Sequence, residues 1–144
     1  HAELLAFLKS DHASVGDPAK LPWCGDFVET CIKLGLPSEM FTGRVKENPY
    51  FARNWLEFGT YVPPTYGAIV VFERGPTSGH IGFLVGQDAS CFYVLGGNQS
   101  DAVTVARIEK TRALGYRWPN AWPAIVEPLP QMTPGNMTIS RNEA

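Results

Sequence analysis

The sequence predicts an α+β domain, with helices first and an antiparallel sheet after them. Three observations carry that expectation. Through the first half, apolar residues recur at helical spacing, as in Phe27, Val28, Cys31 and Ile32. From Ala68 onward they run instead in short β-branched and aromatic stretches separated by glycine-rich turns. The composition agrees: 44% of the 144 residues are hydrophobic, only 18% are charged, and 14 glycines with 12 prolines suit short elements joined by many turns. A chain of this length can bury one sizeable core.

Leu4, Leu5 and Leu8 give residues 2–10 a short apolar face, which the polar run Ser10-Asp11-His12 ends. A second helix starts at Cys24 and continues through Leu34; Gly35 supplies its C-cap and Pro37 forbids continuation. A third opens with Asn48 as N-cap and Pro49 in the first turn, carries Phe51, Trp55 and Phe58, and stops at Gly59. Strands are expected at 68–72, at 80–85 after the turn 75–79, at 91–95 after the turn 86–88, at 102–108, and from Gly115 to Trp118. They read as an antiparallel meander, interrupted at Gly96-Gly97-Asn98-Gln99. From Glu127 the period is lost and Pro128, Pro130, Pro134 and Gly135 mark an extended segment. The expected organisation is one domain over 1–126 and a C-terminal arm over 127–144. The arm is expected to lie outside the core, its apolar residues (Leu129, Met132, Met137, Ile139) held by a surface that belongs partly to another chain of a larger assembly, with wrapping of its own domain the alternative.

Charge and composition exclude several functions. A net charge of −2 and a pI near 5.9 leave no electrostatic footprint for a nucleic-acid backbone. No apolar run approaches the ~20 residues that span a bilayer. The chain opens on His1 with no basic segment ahead of an apolar stretch, so no targeting signal is readable in it. Cys24 and Cys31 lie seven apart on one expected helix, which separates their Cα atoms by about 10 Å, too far for a disulfide.

Cys24 is the foremost candidate for chemistry. Unpaired amides and the helix dipole favour an anion in a first helical turn, so a lowered thiol pKa is expected there, against the ordinary alternative of a small core residue. Cys31 and Cys91 sit on apolar faces and are expected to be structural. A thiolate needs a base. His1 is terminal and His12 lies in a polar stretch, whereas His80 stands at the start of a strand, where an imidazole can meet a helix N-terminus. Asn98, beyond the next strand, is the candidate to orient that imidazole, with Asp101 the competitor; Gln99 is a candidate to polarise a carbonyl. Asp26 suits the first-turn dipole, and capture of a substrate amine is its functional alternative. Among the tryptophans, Trp23 adjoins the nucleophile and is the best candidate to line a groove, while Trp55 suits the core.

Six clusters then occur in one order: Pro22 to Val28 around Cys24; Ala52-Arg53-Asn54-Trp55 with Gly59; Gly67 to Phe72; Gly79-His80-Ile81-Gly82-Phe83; Leu95 to Asp101; and Tyr116-Arg117-Trp118-Pro119. Together they resemble a small bacterial and phage family allied to the CHAP and NlpC/P60 cell-wall amidases and peptidases, over residues 4 to 119. The resemblance implies a papain-like core, with Cys24 as nucleophile, His80 as base and Asn98 as the polar third residue. It implies hydrolysis of amide bonds in peptidoglycan stem peptides through a thioester, at a periplasmic, extracellular or virion-associated location. No metal or cofactor is expected, since the sequence holds no His-Glu-x-x-His, Cys-x-x-Cys or acidic calcium loop. The alternatives are a CHAP-like structural or binding module with little turnover, and a cell-wall-degrading effector with the same site.

Overall fold

The computed structural model describes residues 6–7, 23–99 and 102–143, with the side chains of Asn98 and Gln99 outside the description. Most of the expected first helix therefore lies outside the described residues; Ala6 and Phe7 are helical, and the Phe7 ring packs 6.1 Å from that of Phe27. The chain continues as α1 (Cys24–Gly35), α2 (Gly43–Glu47), a 3-10 helix (Ala52–Glu57), β1 (Thr60–Tyr61), β2 (Ile69–Arg74), β3 (Ser78–Gln87), β4 (Cys91–Gln99), β5 (Ala102–Glu109), a single 3-10 turn (Lys110–Arg112) and β6 (Ala113–Trp118). The class is α+β. Among the described residues the strands all pair antiparallel in one six-stranded sheet of order β1-β6-β2-β3-β4-β5.

Three expectations are corrected. The sheet is not a simple meander, because β6 returns across it to pair with β2 and places β2 inside the sheet. That position explains the unbroken apolar run: Ile69, Val70, Val71 and Phe72 are all fully buried, with side chains covered on both faces. The glycines at 96 and 97 do not end β4, which runs on to Gln99 with an irregularity in its pairing to β5 between Gly96 and Gln99. A Cβ at Gly97 would strike the Trp23 ring, so that glycine serves close packing. The helix expected from Asn48 is a six-residue 3-10 segment, and α2 and β1 are elements too short for periodicity to reveal.

The sheet separates two apolar layers. On one face Trp23, Cys24, Phe27, Val28 and Ile32 of the α1 region pack with Trp55 and Phe58 against Ile69, Val71 and Ile81. On the other, Val70, Phe72, Leu84, Phe92, Val94 and Ile108 form a second cluster, closed by Val62 and Leu129. The β4 start is pinned by Asp88, whose carboxylate accepts from the Ser90 and Cys91 amides, the Tyr93 hydroxyl and Arg107.

The tail is extended, but it lies along its own domain and puts Leu129 into the core, where an arm outside the core was expected. The Thr65 hydroxyl donates to the Glu127 carbonyl at 2.7 Å and Gln87 exchanges main-chain bonds with Pro130 and Met132. Isolated bridges join Gln87 to Gln131 and Arg107 to Ile139. Leu129, only 5% exposed, inserts into the second cluster. Truncating that anchor removes buried contacts, so Leu129→Ala is expected to cost about 2–4 kcal/mol in urea unfolding. Exposed Ile125→Ala is expected to stay within about 0.5 kcal/mol.

Candidate active site

α1 begins at Cys24, directly after the fully buried Trp23. Gly25 is required by what lies beside it: a Cβ there would collide with the Pro49 carbonyl. That same carbonyl accepts from the Trp55 indole at 2.9 Å. The Cys24-Gly25 pair thus seats the helix start against the segment that leads into the 3-10 helix. Asp26 stands in the first turn, as the dipole argument expects, but it is fully buried, so it presents no carboxylate at the surface to a substrate amine.

The Cys24 thiol rests on β3. The Leu84 N–H donates to Ala68 on the β2 side, so by strand alternation the Ile81 N–H points the other way. The β3–β4 ladder begins only at Phe83↔Leu95, and the Ile81 N–H is left to interact with the Cys24 sulfur. Cys24 is 1% exposed, and that burial raises its pKa above the ordinary thiol value. The amides of Ile81, Gly25 and Cys24 and the Arg74 charge pull it down but do not prevail. The expected lowering by the helix start is thereby corrected: desolvation of the thiolate outweighs the dipole. Cys31 is half-buried, and burial pushes it up to about 11; Cys91 is fully buried within β4.

His80 is placed differently from the expectation. It lies opposite Phe72, while its neighbour Ile81 lies opposite Val71. Val71 and Ile81 belong to the α1 side of the sheet and Phe72 to the far side. Paired residues share a face, so His80 and Cys24 turn to opposite faces. A strand end is a rigid platform, but the register decides which face it serves. The backbone leading to His80 is held by Arg53, which donates to the Ser78 carbonyl and the Gly75 carbonyl, both at 2.9 Å.

On the far face, the acid whose ionisation His80 favours is Glu143, from the tail. Arg112 grips the Glu143 carboxylate with two nitrogens at 2.6 and 3.0 Å, and the Ser140 hydroxyl adds a bond at 2.8 Å. Arg112 also donates to the Glu73 carbonyl, and its neighbour Ala113 pairs with Phe72, so the cluster adjoins His80 through the register. No signal in the sequence marks Glu143: a glutamate in a proline-rich terminus reads as solvated.

Asn98 and Gln99 lie at the end of β4, on the strand next to β3; their side chains, and Asp101 entirely, fall outside the described residues. Trp23 is sealed in the core and lines no groove. The aromatic surface is elsewhere: Trp118 and the 55% exposed Trp122 border a cavity of about 220 Å3 with Phe83, Ile32, Leu36 and Cys31. Among the described residues no three His, Cys, Asp or Glu side chains converge as a metal site, and no helix is long and apolar enough to cross a membrane.

Fold and site together define an α+β domain whose first-turn helix cysteine is seated on a central antiparallel strand. Compared with family models, curated proteins and solved structures, the chain matches none of them.

Burial alone would raise the Glu143 carboxyl, but the Arg112 fork, the Ser140 hydroxyl and the His80 charge hold it below the usual carboxylate range. A depressed carboxyl stabilises the fold above its unfolded-state pKa and loses that contribution as pH falls through the folded value. Glu143→Gln, which leaves Arg112 facing an uncharged partner, is expected to cost about 3 kcal/mol at neutral pH. In denaturant titrations the difference from the parent chain should close as pH falls below the ordinary carboxylate range.

Proposed function

We propose that the chain is a cysteine-dependent hydrolase of amide bonds in peptidoglycan stem peptides, on a papain-like fold of the CHAP and NlpC/P60 kind. The observation that carries this reading is the seat of Cys24. It is the first residue of α1, beneath the helix's unpaired amides, and it rests on β3 one residue from His80. The placement of Asn98 on the strand beside that of His80 supports it, as does the order of the six sequence clusters.

On this reading His80 takes the Cys24 proton and the sulfur attacks the scissile carbonyl. The Cys24 backbone N–H, at the helix start, stabilises the oxyanion, and Asn98 orients the imidazole. The imidazolium returns its proton to the leaving amine, and water hydrolyses the thioester. Burial raises the Cys24 pKa, so the thiol depends on His80 to take its proton. The His80 ring has to reach the α1 side of the sheet. The end of β3 before Phe83, paired to β2 but outside the β4 ladder, is the segment that has to turn. The reading carries with it a periplasmic, extracellular or virion-associated setting. A chain delivered as a cell-wall-degrading effector would use the same site.

A second reading, a module of this fold that binds within an assembly without turnover, is favoured by one observation: Cys24 and His80 are both shut from solvent and face opposite ways.

Mass spectrometry of purified peptidoglycan separates the two. The parent chain is expected to release fragments with a new stem-peptide carboxyl and amine, and Cys24→Ala and His80→Ala to release none. A parent chain that folds and releases nothing overturns the hydrolase. Iodoacetamide labelling at neutral pH gives an independent readout. The hydrolase requires Cys24 to label at a rate that drops in His80→Ala, whereas a purely structural Cys24 leaves the half-buried Cys31 to label first.

A further inference from the structure

β5 is the outermost strand at one end of the sheet. Its inner edge is paired with β4 from Cys91↔Glu109 to Gln99↔Ala102. The Lys110 N–H donates to Ser90 on that inner side, whereas the Arg107 carbonyl accepts from the Ser140 N–H on the outer side. Main-chain polar groups alternate between the two edges of an antiparallel strand, so Val103, Val105 and Arg107 all present theirs outward. Arg107 is engaged by the tail, in one parallel bridge to Ile139. Val103 and Val105 have no main-chain partner on that edge among the described residues, and their side chains are 42% and 40% exposed. Between this stretch and the tail lies a cleft of about 450 Å3, with Thr104 to Arg107 on one wall and Asn136, Met137 and Thr138 on the other.

We propose that this cleft is a peptide-binding site, in which an extended segment of another protein pairs as a further strand with the outer edge of β5 at Val103 and Val105. The occupant is argued from three features. The edge already accepts strand backbone, since the tail bridges it at Ile139, and the open positions continue that pairing. The tail forms the far wall, so a single strand fits where the flat edge of a second folded copy does not. The lining is polar with no carboxylate, and of its two arginines Arg107 is held by Asp88 while Arg141 is exposed; Val105 in the lining and Val103 beside it offer β-branched neighbours. The exposed Arg141–Glu109 pair, at 3.2 Å, is weak enough to exchange for an acidic side chain of the peptide. The ligand class is therefore an extended peptide with β-branched residues at alternate positions and an acidic residue at one end. This site is separate from Cys24 and His80, and the inference stands whether or not the chain is a hydrolase.

The test is a titration of the whole 15N-labelled chain with a blocked hexapeptide alternating valine and threonine and ending in aspartate. Saturable shifts are expected at Val103, Val105 and residues 136–138, with slowed amide exchange at the two valines and none of these changes at Trp118 or Trp122. Methylating alternate peptide nitrogens, in either register, leaves the protein untouched and should weaken binding by about tenfold or more through lost main-chain bonds. Val105→Pro removes the outward N–H without removing a main-chain bond to β4 and should weaken binding similarly. The proposal is overturned by the absence of saturable shifts up to millimolar peptide, by shifts confined to other surfaces, or by equal binding of the methylated peptides. It is equally overturned if the two valine amides become protected by self-association of the chain without peptide, which would assign the edge to a second copy.

Discussion

The pairing of β2 with β3, from Ile69↔Phe83 to Arg74↔Ser78, sets most of what surrounds it. Side chains alternate along both strands, so this one register sends Val71 and Ile81 to the α1 layer and Phe72 and His80 to the opposite layer. The α1 helix then has one apolar seat, on Ile69, Val71 and Ile81, and Cys24 arrives at β3 as a consequence of that seat. On the far side the same register gives Leu129 and Glu143 of the tail their places. A slip of one residue would exchange the faces of His80 and Ile81. It would put an imidazole under the helix and an isoleucine beside Glu143, at the cost of the packing in both clusters.

The electrostatics follow from burial. Cys24 and Glu143 are both nearly inaccessible, yet they respond in opposite ways. Glu143 has a two-nitrogen guanidinium partner and a hydroxyl, so its charge is stabilised in spite of desolvation. Cys24 has backbone amides and the charge of Arg74, too little to offset removal of the thiolate from water. The helix-start field is real in both sequence and structure, but it is worth a fraction of the cost of burying an anion.

The tail closes the second cluster. Without Leu129 and the tail's hydrogen bonds to Thr65 and Gln87, the Val70–Phe72 face would present a large apolar surface beside β5. The strap covers that face and then runs past the β5 edge, touching it at Ile139. An edge strand covered at one point and open at the next is where another strand finds main-chain partners.

By itself the sequence determined the class and most of the elements. The helical spacing that starts at Cys24, the run at 68–72 apart from Ala68, and the strands around 80–85, 91–95 and 102–108 fall inside observed elements, because period and turn chemistry are local properties. It also singled out Cys24 as the first helical residue and Trp55 as core. Tertiary structure alone decided the rest. The return of β6 to β2 is a long-range choice that no local pattern records. The face taken by His80 depends on register, and the raised Cys24 pKa depends on how completely the helix docks. Trp23 is sealed because Gly97 lets its ring approach, and Glu143 finds Arg112 and His80 only when the tail folds back. Proximity between residues 31 or 63 positions apart is a property of packing, and a single sequence carries no physical trace of it.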